Sequence, residues 1–245
     1  MLVSIITVSF NSENTIRSTI ESVLSQTYPC VEYIIVDGAS KDNTVSVAME
    51  YQDRFDERGY QYRVISEKDK GIYDAMNKGI NMARGDIIGI INSDDWYEQL
   101  AVETAVNTYK KSTYDMFYAS INLVKESGKT IVKRSKYDKF PTSRHWNHPT
   151  TFVTKKTYEE LGAFRCEGIH DDFDFLLRVK KAGKKIVIGD EILANFRTGG
   201  TSNDKSIKKC IRRCKDRYKC YRNNKYSRLY MFECVLMEIS KFILS

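Results

Sequence analysis

Short apolar runs rich in β-branched residues recur along the first half of the chain. Their starts lie about 25 to 30 residues apart, which is the length of a strand followed by a helix. The runs cover residues 2–8, 31–36, 62–65 and 87–91. Each run is short enough for a buried strand, so this spacing predicts a series of strand–helix units.

Apolar side chains at helical spacing fill the segments between these runs. The first helix carries Ile16 and Leu24, begins after Asn11 or Ser12 as cap and stops before Pro29. Two further helices are predicted over residues 44–58 and 73–84. Strands that alternate with helices predict an α/β fold with a mostly parallel central sheet and helices on both faces.

The second half of the chain has a looser pattern. A hairpin is predicted from residues 116–124 into 130–133, then a strand at 150–153 and helices at 156–161 and 171–182. From residue 207 onwards, apolar residues at helical spacing predict one or two amphipathic helices as a carboxyl-terminal extension.

Polar residues follow each of the four predicted strands. They lie at residues 9–13, 37–42, 66–71 and 92–95. Ligands of parallel sheets bind beyond the carboxyl ends of the strands, so these four segments are the predicted binding region.

The strand that ends in Asp94 and Asp95 carries the most information. Adjacent carboxylates repel each other, and either a raised pKa or a shared cation relieves the repulsion. The more specific hypothesis is that both carboxylates bind a divalent cation, Mn²⁺ or Mg²⁺. The alternative is that Ser93 and the two acids cap a helix that begins near Tyr97.

Common phosphate-binding loops are absent from the sequence. Neither G-x-G-x-x-G after the first strand nor G-x-x-x-x-G-K-[ST] occurs, which disfavours a dinucleotide enzyme and a P-loop ATPase. A nucleotide is instead expected at the first two strand ends. Asp37 would accept the imide N–H of a uracil, and Phe10 would pack on the ring.

The composition indicates the kind of protein and its cellular location. The 245 residues are 42% hydrophobic, which suffices for a sizeable core. The first residues lack a basic leader and no apolar run reaches about 20 residues, so a cytoplasmic location is expected. Six cysteines without a C-x-x-C pair predict reduced thiols.

Several ordered motifs resemble family 2 glycosyltransferases with the A-type fold. They are SIITVSFNSENTI, YIIVDGASKDNT, EKDKGIYDAMNKGINMARGDIIGIINSDDWY, NHPTTFVTKKTYEELGAF, DDFDFLLRV and FRTGGTSN. The resemblance covers roughly residues 1–203. It implies a catalytic domain with a nucleotide-binding half at 1–98 and an acceptor-binding half at 99–203, followed by a basic extension at 204–245.

The resemblance implies a metal-dependent, inverting transfer from a nucleotide sugar to an acceptor hydroxyl. The donor would be a UDP-hexose or UDP-N-acetylhexosamine, and the acceptor a lipid-diphosphate-linked saccharide of a bacterial surface polysaccharide such as O-antigen. Asp172, or its neighbour Asp171, would be the general base, and Asp95 with Asp94 would bind the metal. The implied donor contacts are Thr7, Ser9, Phe10, Glu13, Asp37, Lys78 and Asp94, and His148 would lie near the acceptor or a phosphate.

The sequence departs from the family pattern at several of these positions. Gly38 and Ala39 replace the second Asp and the Gly of the usual loop, Asn92 replaces a frequent Asp, and Met76 stands where many relatives have Arg. Structural alternatives also remain open. Asp37 can form a turn, Asp171 and Asp172 can complement a helix start, Phe10 can belong to the core, and His148 can be a plain loop residue.

Positive charge is concentrated near the carboxyl terminus. Residues 205–228 contain eleven Lys or Arg and one acid, within a net charge of +7. We expect this segment, with nearby tyrosines such as Tyr221, to hold the protein at the inner face of an anionic cell membrane. The alternatives are a helix packed on the catalytic domain and a nucleic-acid-binding module, although the latter leaves the acidic strand ends unexplained. A catalytically silent sugar-nucleotide-binding subunit is a further alternative.

Overall fold

A computed structural model describes residues 1–199 and 206–244, with side chains up to residue 239. Predictions for residues 200–205, including the end of the FRTGGTSN motif, Lys205 and the boundary at 203, lie outside the described residues. The strands are β1 Val3–Ser9, β2 Val31–Asp37, β3 Gln61–Ser66, β4 Ile87–Asn92, β5 Trp96–Tyr97, β6 Met116–Val124, β7 Thr130–Lys133, β8 Phe152–Thr154 and β9 Ile186–Arg197. The helices are α1 Ile16–Leu24, α2 Thr44–Met49, α3 Gln52–Arg58, α4 Ile72–Met82, α5 Ala101–Lys111, α6 Lys155–Leu161, α7 Asp171–Lys181, α8 Ile207–Asn223 and α9 Tyr230–Leu244.

One sheet runs through the molecule in the order β3-β2-β1-β4-β8-β6-β9-β5, and β7 pairs with β6. The first four strands in this order are all parallel, as the sequence predicted. Their register places Ser9 beside Asp37, Asp37 beside Ser66, and Val8 beside Asn92. The polar segments that follow these strands therefore leave the sheet at one edge.

The other half of the sheet mixes directions. Strand β8 runs antiparallel to both β4 and β6, whereas β6 and β9 are parallel. Strand β9 was not predicted, because exposed Asp190 and Glu191 interrupt its apolar pattern and its pairing with β6 shifts register near Ser120.

Two other local predictions were wrong. The helix predicted over residues 44–58 is divided into α2 and α3 at Glu50 and Tyr51. The turn buries the Tyr51 ring while its hydroxyl donates to Glu21 at 2.8 Å. The helix expected to begin near Tyr97 starts instead at Ala101, since residues 96–97 pair with β9, so Asp94 and Asp95 do not cap it.

Two apolar layers cover the two faces of the sheet, which confirms the predicted layering. Alternate residues of β1 point to opposite sides. Val3 and Ile5 join the layer that includes α1, α3 and α5, and Ile6 and Val8 join the layer that includes α4 and α7.

Helix α8 packs on α7, and α9 packs on α8. Tyr221 of α8 is fully buried, with its ring 5.3 Å from Phe173 of α7 and 4.4 Å from Tyr230 of α9. Arg213 pairs with Glu238 at 2.8 Å between the two helices. Among the helices in the described part of the chain, none combines the length and apolarity that crossing a bilayer requires. The six cysteines form no disulfide.

Gly85 has a steric role in addition to following α4. A Cβ atom at this position would lie 2.5 Å from the Ser4 backbone nitrogen and 2.9 Å from the Leu2 carbonyl oxygen. We expect Gly85→Ala to lower the free energy of unfolding by about 2 kcal/mol, because β1 would have to shift. A Cβ at Gly168 would meet only Asp216, at an ordinary 3.7 Å, so Gly168→Ala is the matched control. Urea denaturation measures the free energy of unfolding of both variants. Equal losses of stability would contradict the steric role of Gly85.

Candidate active site

A cleft of about 870 Å³ opens beyond the carboxyl ends of β1, β2 and β4. The ends of β3 and β9 and the first turn of α4 complete its wall. The lining residues are Val8, Ser9, Phe10, Asn11, Ser12, Asn14, Thr15, Gly38, Asp69, Gly71, Ile72, Ala75, Asn92, Ser93, Asp94, Phe196, Arg197 and Gly199. The cleft lies where the sequence placed the binding region.

Asp37 joins the ends of the first three strands. Its side chain is fully buried and accepts from the hydroxyls of Ser9 at 3.0 Å and Ser66 at 2.7 Å. It also accepts from Ser40, through the backbone N–H at 2.8 Å and the hydroxyl at 2.5 Å. Four internal donors fill the acceptor positions of a carboxylate. A uracil N–H would have to displace one of them, so the predicted base contact of Asp37 stays a prediction.

Phe10 is exposed at the mouth of the cleft. Its side chain is 61% exposed and lines the cleft, so it does not belong to the core. The backbone of Gly38 lies beside it, where a Cβ would be 3.3 Å from the Phe10 ring and 2.5 Å from Oδ2 of Asp69. A side chain at this position would have to displace the Asp69 carboxylate and would press on the aromatic ring.

Asp94 and Asp95 occupy different environments. Asp94 is half-buried and lines the cleft, whereas Asp95 is fully buried behind it. Burial raises the pKa of both carboxyls, and the Asp94 charge raises that of Asp95 further. Arg197 opposes the shift by donating its backbone N–H to Oδ1 of Asp95 at 3.0 Å, and its Nε donates to the Asp94 carbonyl at 3.2 Å.

The oxygen atoms of this segment fit a hard divalent cation. Oδ1 of Asn92 and Oδ2 of Asp95 are both buried without a hydrogen-bond partner. Such atoms are costly to bury unless they are satisfied. No three His, Cys, Asp or Glu side chains group around one point within the described residues. In Mg²⁺ sites of enzymes, one or two carboxylates commonly act together with substrate phosphates and water.

A second cluster lies at the start of α7. Tyr73 donates its hydroxyl to Oδ1 of Asp172 at 2.8 Å, and the N–H of Phe173 donates to the same oxygen at 2.8 Å. Asp171 points elsewhere, since its Oδ2 accepts the backbone N–H groups of Glu167 at 2.7 Å and Gly168 at 3.3 Å. Burial raises the pKa of Asp171 despite these bonds. The two neighbouring acids therefore have separate roles, and Asp171 fixes the preceding loop.

His148 lies near this second cluster. Its Nε2 is buried and has no hydrogen-bond partner. Burial lowers the pKa of the imidazole, and the charge of Asp172 opposes that shift. The lowered pKa favours the neutral imidazole, in which each ring nitrogen is either a hydrogen-bond donor or an acceptor.

Four residues predicted to contact the donor do not line the cleft: Asp37, described above, and Thr7, Glu13 and Lys78. Thr7 is buried in β1 and accepts from the Tyr33 hydroxyl of β2 at 3.0 Å. Glu13 accepts the backbone N–H of Asn43 at 3.0 Å, which fixes the loop before α2. Lys78 pairs with Glu67 at 2.8 Å and joins the end of β3 to α4. In this structure Glu13 and Lys78 support the loops around the cleft, and Thr7 belongs to the sheet.

The sequence singled out neither Asp69 nor Arg197 nor Tyr73, although all three belong to the site. Asp69 lies within the polar segment after β3, so its position was the available signal. Arg197 belongs to the quoted FRTGGTSN motif, but its strand was not predicted. Tyr73 gave no signal, because its partner Asp172 is 99 residues away in the chain.

Comparison with known proteins identifies the family. The model of glycosyl transferase family 2 matches residues 4–170, more than half of the chain. The chain belongs to glycosyl transferase family 2. This membership agrees with the resemblance seen in the sequence motifs.

One relative of this glycosyltransferase is TuaG of Bacillus subtilis, which is named for teichuronic acid biosynthesis. The two are 31% identical over 132 residues, which are 54% of this chain and 51% of TuaG. The chain thus spans about half the length of this relative, and it spans 36% of EpsH from the same organism.

Solved structures show the same fold. S. aureus TarS residues 1–349 in complex with UDP-GlcNAc matches with a TM-score of 0.72 at 16% identity, over 98% of this chain and 72% of that one. The mannosyltransferase PcManGT from Pyrobaculum calidifontis, in complex with GDP-Man and Mn²⁺, matches with a TM-score of 0.70 at 16% identity, over 96% and 68%. The glycosyltransferase therefore has the A-type fold of nucleotide-sugar transferases.

Proposed function

We propose that this glycosyltransferase transfers a sugar, with inversion, from a UDP-sugar to an acceptor hydroxyl, assisted by a divalent cation. The first turn of α4 carries the proposal. Ile72 lines the cleft that holds Asp94, while Tyr73 bonds Asp172 at 2.8 Å. A donor site and a carboxylate able to act as a base are thus joined by consecutive residues of one helix.

The donor would lie along the strand ends. Phe10 offers an exposed ring for the base, and Asp69 places a carboxylate beside that ring. Asp37 would hold the three strand ends in position. The UDP-GlcNAc complex of TarS supports a UDP-sugar with a hexose or N-acetylhexosamine.

The diphosphate would lie near Asp94 and the Arg197 side chain, which both line the cleft. Asn92, Asp94 and Asp95 would hold Mn²⁺ or Mg²⁺, and the Mn²⁺ in the PcManGT complex supports this assignment. A bound cation stabilises the negative charge that develops on the departing diphosphate. The Arg197 guanidinium adds a second positive charge at the same wall of the cleft.

Asp172 would act as the general base in a single displacement. The acceptor oxygen forms a bond to the anomeric carbon while the bond from that carbon to the diphosphate oxygen breaks. The acceptor proton passes to the Asp172 carboxylate, and the nucleoside diphosphate leaves with the bonding electron pair. Tyr73 holds Oδ1, and among the described residues Oδ2 receives no hydrogen bond, so Oδ2 is the proton acceptor.

The acceptor would be a saccharide on a lipid diphosphate, within the synthesis of a bacterial surface polysaccharide. The naming of TuaG for teichuronic acid synthesis supports this class of product. An enzyme that acts on such an acceptor has to meet a bilayer. We therefore include in the proposal a peripheral location at the cytoplasmic face of the cell membrane.

Phe10→Ala tests the stacking role. We expect the Kd for UDP to rise about tenfold, because stacking of a base on an aromatic ring is worth about 1–3 kcal/mol. Phe140→Ala is the control, since Phe140 is similarly exposed at 67% but does not line the cleft. Calorimetric titration measures both variants. An unchanged Kd for Phe10→Ala would contradict stacking of the base on the Phe10 ring.

Metal removal tests the cation site. UDP with Mn²⁺ at a hundredfold excess over its Kd should stabilise the protein by about 2.7 kcal/mol, and EDTA should remove most of that gain. We expect Asp95→Asn to abolish the Mn²⁺-dependent part of the Tm shift and to weaken Mn²⁺ binding measured by electron paramagnetic resonance. Asp86→Asn changes an exposed acid just before the other end of β4 and should behave as wild type. Equal Mn²⁺ binding by wild type and Asp95→Asn would contradict the assignment.

Substitution of the base separates binding from turnover. Asp172→Asn should lower kcat about 10²- to 10⁴-fold, while the Kd for UDP stays unchanged. Tyr73→Phe should lower kcat about 10- to 100-fold with little change in the donor KM, since a hydrogen bond to a charged group is worth about 1.5–3 kcal/mol. The assay follows UDP release from UDP-glucose, UDP-galactose and their N-acetyl forms. Retained turnover in Asp172→Asn would place the base elsewhere.

A further inference from the structure

The outer face of α9 is apolar throughout its described length. Five side chains between residues 230 and 239 are exposed, and none of them is polar: Met231, Phe232, Val235, Leu236 and Ile239. We call this set the α9 apolar face. Phe232 and Leu236 are 69% and 65% exposed, so the face is open to water. A continuous apolar strip on a surface helix normally contacts a partner.

The exposed charge around this face is mostly positive, although Lys219 pairs with Glu167 at 2.8 Å and Arg212 with Asp216 at 3.7 Å. Between residues 206 and 239 the exposed side chains include no Asp or Glu. They include eight basic residues: Lys208, Lys209, Arg212, Lys215, Lys219, Arg222, Lys225 and Arg228. Helix α8, which holds six of them, runs antiparallel to α9, as the contacts of Arg213 with Glu238 and of Tyr221 with Tyr230 show. Positive charge therefore lies next to the α9 apolar face.

We propose that the α9 apolar face inserts into an anionic lipid bilayer, with the exposed cations of α8 on the headgroups. An apolar strip beside a basic one is the pattern of interfacial helices. Each Lys or Arg near an anionic surface contributes about 1 kcal/mol. The proposal deepens the proposed peripheral location, because it names the inserting side chains.

Two other partners, a second copy of the chain and a nucleic acid, fit this surface less well than an anionic bilayer. A second copy of the chain, related by a two-fold axis through α9, would bring eight exposed cations against eight others. The acids paired with them, Glu167 and Asp216, offset only Lys219 and Arg212. A nucleic acid would pair with the cations but would leave Phe232 and Leu236 in water. An anionic bilayer satisfies both parts of the surface.

The side chains that insert differ from those expected from the sequence. Tyr221 is buried against α7, and its hydroxyl donates to the Pro141 carbonyl at 2.8 Å, so it cannot enter a headgroup layer. Arg213 and Arg217 are buried as well. The inner faces of α8 and α9 thus attach the pair to the catalytic domain, and the outer faces remain for the membrane.

Helix α8 contacts the segments around the proposed base. Arg217 of α8 donates to the Ser143 hydroxyl at 2.5 Å, and Cys220 donates to the carbonyl of His170, directly before α7. Asp172 is in the first turn of that helix. Membrane binding through α8 and α9 would therefore hold the proposed base close to the bilayer that carries a lipid-linked acceptor.

Vesicle flotation of the full chain tests the proposal. We expect binding to vesicles that contain phosphatidylglycerol, little binding to phosphatidylcholine alone, and weaker binding as salt rises. The double variant Phe232→Ser with Leu236→Ser should bind at least tenfold more weakly. Lys215→Gln with Arg222→Gln should lose about thirtyfold, from two contributions of about 1 kcal/mol. Tyr137→Ser with Phe140→Ser changes two exposed aromatic residues outside the two helices and should bind as wild type.

The UDP-induced Tm shift of each variant shows whether it is folded and keeps this test separate from the test of catalysis. Failure of the wild-type protein to bind anionic vesicles would overturn the proposal. So would unchanged binding by the serine variant. Dimerisation in ultracentrifugation that the serine variant abolishes, together with absent vesicle binding, would assign the face to a second copy instead.

Discussion

The burial of Asp95 is the constraint on which the cleft depends. A carboxylate inside a protein has to be compensated, because its loss of hydration costs several kcal/mol. Here the compensation comes from Arg197, which is 102 residues away in the chain and supplies its backbone N–H to one oxygen. That bond joins the end of β9 to the end of β4. Together with the pairing of β9 with β5 and β6, it fixes the wall formed by Phe196 and Arg197.

The hydrogen bonds within the protein compensate only part of the hydration that the Asp95 carboxylate loses on burial. One oxygen has Arg197, but the other is buried without a partner, and so is the side-chain oxygen of Asn92. Burial and the Asp94 charge both raise the pKa of Asp95. The proposed cation would lower this electrostatic cost by pairing with both carboxylates. The burial of these oxygens would then favour binding of that cation.

The features of the fold and the site that could be predicted from the sequence are those that depend on residues close together in the chain. The parallel half of the sheet and the polar strand ends were predicted, since they depend on apolar runs a few residues long. Strand β9 was missed because Gly189, Asp190 and Glu191 interrupt its pattern, and Arg197 was missed with it. The bond between Tyr73 and Asp172 lies beyond any local pattern, since it joins α4 to α7 across 99 residues.

A departure from the family pattern is matched by a neighbouring acid. Gly38 lacks the carboxylate that the usual loop carries, yet Oδ2 of Asp69 lies 2.5 Å from the point where a Cβ of residue 38 would be. An acidic side chain at position 38 would have to displace the Asp69 carboxylate. The negative charge beside Phe10 therefore comes from the loop after β3 instead of the loop after β2. For this reason, substitutions at Gly38 and Asp69 have to be interpreted as a coupled pair.

The carboxyl-terminal helices connect the proposed membrane-binding surface to the proposed base through α7. Asp174 of α7 is buried between Arg178 at 3.1 Å and Arg165 at 3.2 Å, and Asn224 at the end of α8 donates to it at 2.6 Å. Removal of α8 would expose this buried acid and the Phe173 ring. Both follow Asp172 within two residues. The orientation of the proposed base therefore depends on the helix whose outer side carries the cations.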